Sequence, residues 1–570
     1  GFASAWHASL NEKRQAGNIY DRLQLLSPSA NDSPRPVTRL VLGFSEQADN
    51  DMSNFRLNDV VVLYPYTPGQ EPDLRCTMVF RCSIEQVTAN RITLVLRAPQ
   101  TDANVFLRDA DKYWAIEHDF IESSYSSLYR GMHAFLSAPQ ERRDLLLLQR
   151  DPAVDSSLQL CGDYGKFNEL ALRVKQAQDF FLIIGPPGTG KTSFGLMTTL
   201  HEALLTPDAS ILLLSYTNRA VDEICSKLVE EKLDFIRIGN ELSCPEVYRP
   251  YLLSSAVSEC SRLAQVKERI MSGRIFVGTT TALNTSMSLF RLKSFDLAIV
   301  DEASQILEPH LMGLLSAVKD NAPAIRKFVF IGDHKQLPAV VQQHSDESRV
   351  HEAALNDILL TDCRLSLFER LLKRYRERPE VVFMLKRQGR MHHDIADFPN
   401  RAFYAGQLTE VPLEHQQQPL PEAAPHADFF KKILTTQRIA FIAAPQPPKS
   451  PSDKVNQTEA DLIAEAVVKI YELTGSNFDV AHTVGIIVPY RNQIATIRNT
   501  LDRYGIPALH DITIDTVERY QGSQRDYILY GFTIQQYYQL NFLTDTVFEE
   551  DGALIDRKLN VAMTRAREHL

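Results

Sequence analysis

The sequence has no apolar run near the ~20 residues needed to span a bilayer. No signal peptide is visible at its start, so no membrane partner is expected. Its seven cysteines (Cys76, Cys82, Cys161, Cys225, Cys244, Cys260 and Cys363) are scattered, with no CxxC pair. That argues against a zinc ribbon or an iron–sulfur cluster. It fits free thiols in a reducing, intracellular compartment: cytoplasm, or the nucleoid if the source is bacterial. An excess of positive charge is also missing. Sixty-one Lys and Arg stand against 71 Asp and Glu, a net charge of −10. Bulk charge of this sign disfavours nucleic acid, but a strand-binding channel needs only local positive charge, so that class stays open. The chain begins with Gly1 rather than Met and stops at Arg567-Glu568-His569-Leu570; both ends read as cuts in a longer protein. At 570 residues it is too long for one core, and three or four domains are expected.

What is present centres on Gly185-Pro186-Pro187-Gly188-Thr189-Gly190-Lys191-Thr192. The apolar run Phe180-Phe181-Leu182-Ile183-Ile184 precedes it and reads as a buried strand. Ser193-Phe194-Gly195-Leu196-Met197 follows and reads as a helix start. Strand, glycine loop and helix are the context of a Walker A loop. Glycines let the backbone turn its N–H groups toward phosphate oxygens, and the helix N-terminus adds a favourable dipole. In that reading Lys191 reaches the β- and γ-phosphates and the Thr192 hydroxyl is a Mg²⁺ ligand. A second element is Leu297-Ala298-Ile299-Val300-Asp301-Glu302. An apolar strand ending in Asp-Glu is the Walker B arrangement: Asp301 for the metal shell, Glu302 to orient and deprotonate a water. A third is Phe328-Val329-Phe330-Ile331-Gly332-Asp333-His334-Lys335-Gln336-Leu337-Pro338. Here Gln336 is placed to sense a γ-phosphate, with Asp333 in support.

Around these motifs the chain changes character. Residues 1–35 hold one helix-like stretch, closed by a Pro/Ser/Asn-rich linker at residues 27–36. Short β-type runs at residues 37–43, 59–64, 77–87 and 91–97, with a turn at Ala89-Asn90, suggest a small barrel, either a strand-binding module or a spacer. Residues 123–149 carry Leu128, Met132, Phe135 and Leu136 at helical spacing and read as a stalk. Strands then alternate with helices, the pattern of a parallel sheet, apart from a helical insertion near 241–273. Residues 364–390 are rich in Arg and Lys; some are expected on a nucleic-acid backbone and one at the nucleotide. Residues 411–456 read as surface loops, and a second alternating set runs from 457 to 532. The expected domains are 1–122 (segment and barrel), 123–160 (stalk), 161–380 (first α/β lobe) and 381–570 (second α/β lobe). The fold class is α/β: two RecA-like P-loop NTPase lobes behind a β-barrel and stalk.

The ordered series of motifs resembles the superfamily 1 helicases, in the subgroup of the nonsense-mediated-decay RNA helicase and the replication helicase–nuclease. It comprises Gly185–Thr192, Ser215-Tyr216-Thr217-Asn218-Arg219-Ala220-Val221-Asp222, Val277-Gly278-Thr279-Thr280, Asp301-Glu302-Ala303-Ser304-Gln305 and the Gly332 turn. It continues through Arg387-Gln388-Gly389-Arg390-Met391-His392, Val488-Pro489-Tyr490-Arg491-Asn492-Gln493 and Thr516-Val517-Glu518-Arg519-Tyr520-Gln521-Gly522, ending at Leu559-Asn560-Val561-Ala562-Met563-Thr564-Arg565. The resemblance implies that Arg390 and Arg565 reach the γ-phosphate from the second lobe. It also implies that Gln521-Gly522 couple the lobes, that Asn168 lies at the nucleotide, and that Thr217, Asn218, Thr279, Pro489, Tyr490 and Thr516 line a strand channel. It carries the cofactors ATP and Mg²⁺ and movement 5′ to 3′.

Three departures stand out. No Gln lies at the usual offset upstream of the loop, Gly389 stands where the family has a base-stacking aromatic, and Ser523-Gln524 replace a Glu after Gln-Gly. The expected function is an ATP-dependent helicase or translocase. The track is single-stranded DNA rather than RNA, because the long barrel without zinc modules is similar to the replication branch. The rival readings are an NTP-switched binding module without unwinding, an RNA helicase, and a helicase–nuclease whose nuclease domain lies outside this chain.

Overall fold

The computed structural model describes residues 7–28, 36–45, 54–119 except 58, 89 and 110, 124–422 except 342 and 344, 428–445 and 452–570. The chain divides into two compact units. One is Gly1–Ser123 with Tyr490–Thr496; the other is Ser124–Pro489 with Ile497–Leu570.

The first unit is a closed antiparallel barrel. Its strands run in the order Ile19–Ser27, Val37–Gly43, Arg91–Gln100, Phe80–Val87, Val60–Tyr66 and Tyr113–His118. The four expected runs are all strands of it. Two further strands are not marked by sequence alternation, and each has a local reason. Ile19–Ser27 contains Arg22 at φ +57, and its pairing register shifts between Tyr20 and Leu23, so the period of two is broken. Tyr113–His118 is buried on both faces, and its Glu117 accepts from Lys13 Nζ at 2.8 Å and from the Tyr64 hydroxyl. A charged residue satisfied inside a barrel does not look like strand core from sequence alone. Closure leaves no sheet edge, and the interior is filled by Trp114, Phe106, Leu23 and Leu94. The helix-like stretch near the start is only Leu10–Gln15. The expected linker at 27–36 and the turn at Ala89 fall mainly outside the described residues.

The second unit opens with helices Ser124–Ser137 and Gln140–Leu146. A seven-stranded parallel sheet follows, ordered Val382–Met384, Phe180–Ile184, Ile325–Gly332, Phe295–Val300, Ile211–Ser215, Ile275–Thr279 and Ile236–Ile238. Its strands are apolar on both faces because helices cover both. Neighbouring residues go to opposite cores: Leu182, Leu212 and Leu214 to one, Phe181, Ile183, Ile211 and Leu213 to the other. The outer strand Val382–Met384 lies past the expected boundary at 380 and still pairs with the P-loop strand. Residues 241–273 are helical only in pieces. Two 3₁₀ segments, Glu241–Ser243 and Glu246–Tyr251, precede the helices Leu253–Ala256 and Leu263–Ser272. Pro245 and Pro250 lack N–H donors and break the run.

The second sheet has four parallel strands, ordered Thr513–Asp515, Val484–Ile487, Arg525–Tyr530 and Ala566–His569. A small antiparallel hairpin, Phe548–Glu550 with Ala553–Ile555, stands apart from it. Leu337 of the Gly332 turn is buried in one cluster with Met391, Ile395, Tyr520 and Val561, so the two sheets share apolar packing. The expected loops at 411–456 contain a helix at Phe429–Thr436, and residues 423–427 and 446–451 lie outside the described residues.

Part of the Arg/Lys-rich stretch is internal rather than a surface. Arg370 is turned inward, 1% exposed, with Nε donating to Glu308 at 2.9 Å and Nη2 to the Leu146 carbonyl at 2.8 Å. Arg378 pairs with Asp151 at 3.0 Å and with Glu380 at 2.6 Å. A buried guanidinium with a satisfied fork holds the fold rather than a strand. Arg370→Ala leaves Glu308 without its partner and should destabilise the protein by about 3–5 kcal/mol in a denaturant titration. A loss under about 1 kcal/mol would contradict this account of the stretch.

Candidate active site

The two-lobed unit encloses a cleft of about 1340 Å³ at the carboxyl ends of the first sheet's strands, where ligands of open α/β sheets bind. Adjacent strands deliver its floor. Phe180–Ile184 leads into the glycine loop, Ile325–Gly332 into the Asp333 turn and Phe295–Val300 into Asp301-Glu302. Gly185 through Thr189 curl over the strand end, and the helical turn Lys191–Leu196 begins directly after Gly190. Two glycines are sterically required. A Cβ on Gly185 would stand 2.0 Å from Lys191 Cγ. Gly188 has φ +74, and a Cβ there would stand 2.6 Å from Arg390 Cβ. The loop's empty space is thus a cradle that any side chain would fill.

Inside the cradle, Lys191 Nζ lies 2.8 Å from Glu302 Oε1. The Thr192 hydroxyl donates to Asp301 Oδ2 at 2.9 Å. Glu302 sits at φ +53, a left-handed conformation that costs a non-glycine residue energy and recurs at functional sites. The adjacent carboxylates are pushed apart. Burial, then the charge of Glu302, raises Asp301 above the usual carboxylate range. Burial opposes Glu302 too, but Lys191 and Gln305 outweigh it and hold it low. The Lys191 ammonium is kept charged by Glu302 and Asp301 against its own burial. A hydroxyl and a carboxylate of hard oxygen character beside a lysine fit a divalent cation and a phosphate chain.

The second lobe supplies two arginines. Arg390 lines the cleft; its Nε donates to Gln524 Oε1 at 2.9 Å and its Nη1 to the Thr564 carbonyl at 3.1 Å. Arg565 is buried and donates to Gln336 Oε1 at 3.0 Å, to the Val561 carbonyl at 3.0 Å and to the Ser523 carbonyl at 3.4 Å. Burial brings Arg390 down to about 10, against the pull of Glu223 and Glu302. Burial, then the charge of Arg390, brings Arg565 down to about 9. Of the two residues that depart from the family pattern, Gln524 meets Arg390 with its side chain and Ser523 meets Arg565 only through its backbone carbonyl. Gly522 lines the cleft at φ +84.

Not every expected residue is here. Asn168 does not line the cleft: its carboxamide accepts from Tyr164 N at 2.6 Å and donates to Asp163 at 2.8 Å. A short Asx-type side chain satisfied by its own turn is withdrawn from a ligand. The expected strand-channel residues lie elsewhere, at element ends. Thr217 and Thr279 cap the helices Asn218–Glu230 and Thr280–Thr285 by accepting from Ala220 N and Ala282 N. Thr516 precedes Val517–Tyr520, and Pro489 follows the strand Val484–Ile487. Tyr490 belongs to the barrel unit.

Sequence reasoning missed Glu223, Tyr404 and the stacked rings of Phe167 and Phe194, 4.8 Å apart, all on the cleft wall. Glu223 directly follows a quoted motif and Phe194 lies in the quoted helix start after the glycine loop; Phe167 and Tyr404 had no local signal. His392, His393 and Asp394 come close enough to share an ion. The His392 ring, however, already accepts from Asp394 N at 3.2 Å and meets the Gln418 carbonyl at 3.1 Å, which leaves no lone pair for a metal.

Fold and site together define a P-loop NTPase with two RecA-like lobes. AAA domain family models match residues 168–342 and 363–570. The DNA replication ATP-dependent helicase/nuclease JHS1 of Arabidopsis thaliana is 28% identical over 517 residues, 86% of this chain and 35% of that protein. The corresponding helicase/nuclease DNA2 of Homo sapiens is 29% identical over 427 residues, 70% of this chain and 36% of that protein. The chain therefore spans about a third of the length of these curated relatives. The solved Arterivirus nonstructural protein 10 (helicase) aligns with 95% of this chain and 76% of its own at 12% identity and a TM-score of 0.37, too loosely to argue from. The chain thus carries two AAA domain matches and is similar to the replication helicase/nucleases.

The hairpin closes one side of the cleft. Glu550 meets His334 Nε2 at 2.8 Å and Lys335 Nζ at 2.5 Å, and Asp551 meets Arg376 at 2.9 Å. Burial alone would raise Glu550; the bond and charge of His334, then of Lys335, instead bring it to about 2. Its folded value lies below the ordinary 4.5, so its stabilisation is complete above that pH and is lost as pH falls toward 2. The melting-temperature gap between the protein and Glu550→Gln should therefore shrink as pH falls from about 5 toward 2. A gap that stays flat down to about pH 3 would contradict the bridge.

Proposed function

We propose that the chain is an ATP-driven helicase motor that hydrolyses ATP between its two lobes and moves along single-stranded DNA in the 5′-to-3′ sense. One observation carries this reading: Lys191, Thr192, Asp301, Glu302 and Gln336 of the first lobe line one cleft with, or lie directly behind, Arg390 and Arg565 of the second. Lys191 leaves Glu302 to hold the β- and γ-phosphates. Glu302, released, accepts a proton from the attacking water. Gln336 reads the γ-phosphate, and the two arginines balance the charge that builds on it. Thr192 and Asp301 would hold Mg²⁺, which when bound neutralises phosphate charge.

Closing the lobes on the triphosphate and reopening them after cleavage changes the spacing of the helix N-termini at Thr217, Asn218, Thr279 and Thr516. Backbone N–H groups at such ends suit strand phosphates. Pro489 and Tyr490 continue this assignment. DNA is preferred to RNA because the relatives are named as DNA replication proteins. They are also named as nucleases, and a nuclease domain outside this chain fits the third of their length that it spans. An intracellular setting fits the free cysteines. Among the described residues, no helix is long and apolar enough to cross a membrane.

ATP turnover should rise strongly on adding single-stranded DNA, and more than on adding RNA. Lys191→Ala should abolish it, and Glu302→Gln should cut it by about 10²–10⁴ while ATP still binds. Duplexes with a 5′ tail should be unwound in preference to those with a 3′ tail. Turnover indifferent to any strand would overturn the motor reading and leave a nucleotide-switched binder.

A further inference from the structure

Behind the γ-phosphate side of the cleft, Tyr404, which belongs to no quoted motif, joins two motifs in a buried chain of polar groups. Asp333 Oδ2 accepts two hydrogen bonds, from Gln336 Nε2 at 2.8 Å and from the Tyr404 hydroxyl at 2.7 Å. Tyr404 Oη in turn accepts from Asn560 Nδ2 at 2.8 Å, and the same Nδ2 donates to the Lys335 carbonyl at 2.7 Å. Gln336 Oε1 accepts from Arg565. The first-lobe turn is thus held from the second lobe along two arms, Arg565 onto Gln336 and Tyr404 with Asn560 onto Asp333 and Lys335. Asp333 and Asn560 are wholly buried, and Tyr404 is 2% exposed.

The direction of each bond is fixed. The Lys335 carbonyl only accepts, so Asn560 must present its NH₂ and not its oxygen. Tyr404 Oη receives one of those protons, so its own proton goes to Asp333. Burial and the charge of Asp333 push the Tyr404 phenol well above its ordinary range, so it remains a donor. Gln336, with its NH₂ on Asp333, must then turn its oxygen to Arg565. This orientation has a cost: Asn560 Oδ1 is buried with no hydrogen-bond partner. An unmet buried acceptor is expensive, and packing alone gives no reason to keep it.

We propose that Tyr404, seated by Asn560, is a positioning residue for ATP turnover that holds Asp333 and thereby fixes which face of Gln336 meets Arg565. This rests on the reading of the cleft given above. Tyr404 touches no reacting atom in this account; it acts through Gln336. Loss of its hydroxyl leaves every neighbour a partner, since Asp333 keeps Gln336 and Asn560 keeps Lys335. The phenyl ring retains its packing with Phe403, Leu408 and Ile555, so Tyr404→Phe should fold.

The test is steady-state ATPase of the full chain, with strand present, for the protein, Lys191→Ala, Tyr404→Phe, Asn560→Ala, Gln336→Ala and the Tyr404→Phe/Gln336→Ala double variant. Tyr404→Phe should lower kcat about tenfold, the scale of one buried hydrogen bond, with KM for ATP within about twofold and only a small fall in melting temperature, the protein staying folded at the assay temperature. Asn560→Ala should act in the same direction. The double variant should be no slower than Gln336→Ala alone, because both act through one group. An unchanged kcat in Tyr404→Phe would overturn the proposal, as would kcat and KM moving together with a melting temperature that falls to the assay temperature, or losses that multiply in the double variant. If the protein itself turns over no faster than Lys191→Ala, the reading of the cleft falls, and the positioning role falls with it.

Discussion

Two cleft arginines that form no ion pair set the character of this molecule. Among the described residues, neither Arg390 nor Arg565 forms an ion pair. Arg565 is held by carbonyls and the Gln336 amide, and Arg390 by Gln524 and a carbonyl. A guanidinium buried without an ion pair, as Arg565 is, is costly, and a polyanion between the lobes relieves that cost. The first lobe shows the complementary arrangement. Its lysine is already matched to Glu302 and its threonine to Asp301. The cleft thus holds spare positive charge on the side of the second lobe, so an incoming phosphate chain is drawn to span both. Closure of the lobes and charge balance at the phosphates become the same event.

The remaining architecture serves this arrangement. A parallel sheet delivers three loops to one edge in the order glycine loop, Gly332 turn and Asp301-Glu302. Leu337 anchors the turn in the apolar packing of the second lobe, while Glu550 and Arg557 grip His334 from the hairpin side and the following helix. Arg219 reaches the Arg519 carbonyl at 3.0 Å on another side. The turn from Gly332 to Pro338 is therefore the element on which first-lobe chemistry and second-lobe position both act.

The glycine loop, Asp301-Glu302, Gln336 and the alternating strands were legible because each is a local pattern. A contiguous apolar run ends in residues whose chemistry is tied to that end. The two arginines came from the ordered resemblance rather than from any local feature, and the cleft brings both to the loop. What was hidden is non-local. Tyr404 joins Asp333 across 71 residues, and Arg370 joins Glu308 across 62. Such partners have no signature in either segment, so a basic stretch of which some residues were expected on a nucleic-acid backbone is in part internal. Asn168 shows the converse: the residue type suited a ligand, but its own turn satisfied it first. The two unread barrel strands fail the alternation test for the stated reasons, a left-handed Arg22 and a buried Glu117.

The central claim is that the second lobe completes the hydrolytic site of the first. Measuring ATP binding and single-turnover hydrolysis in Arg565→Ala tests it most directly. The account predicts ATP affinity within a few-fold of the unmodified protein and hydrolysis slowed by about 10³–10⁵, the range of an arginine that meets the transition state. Hydrolysis at an unchanged rate in this variant would contradict it and confine the chemistry to the first lobe.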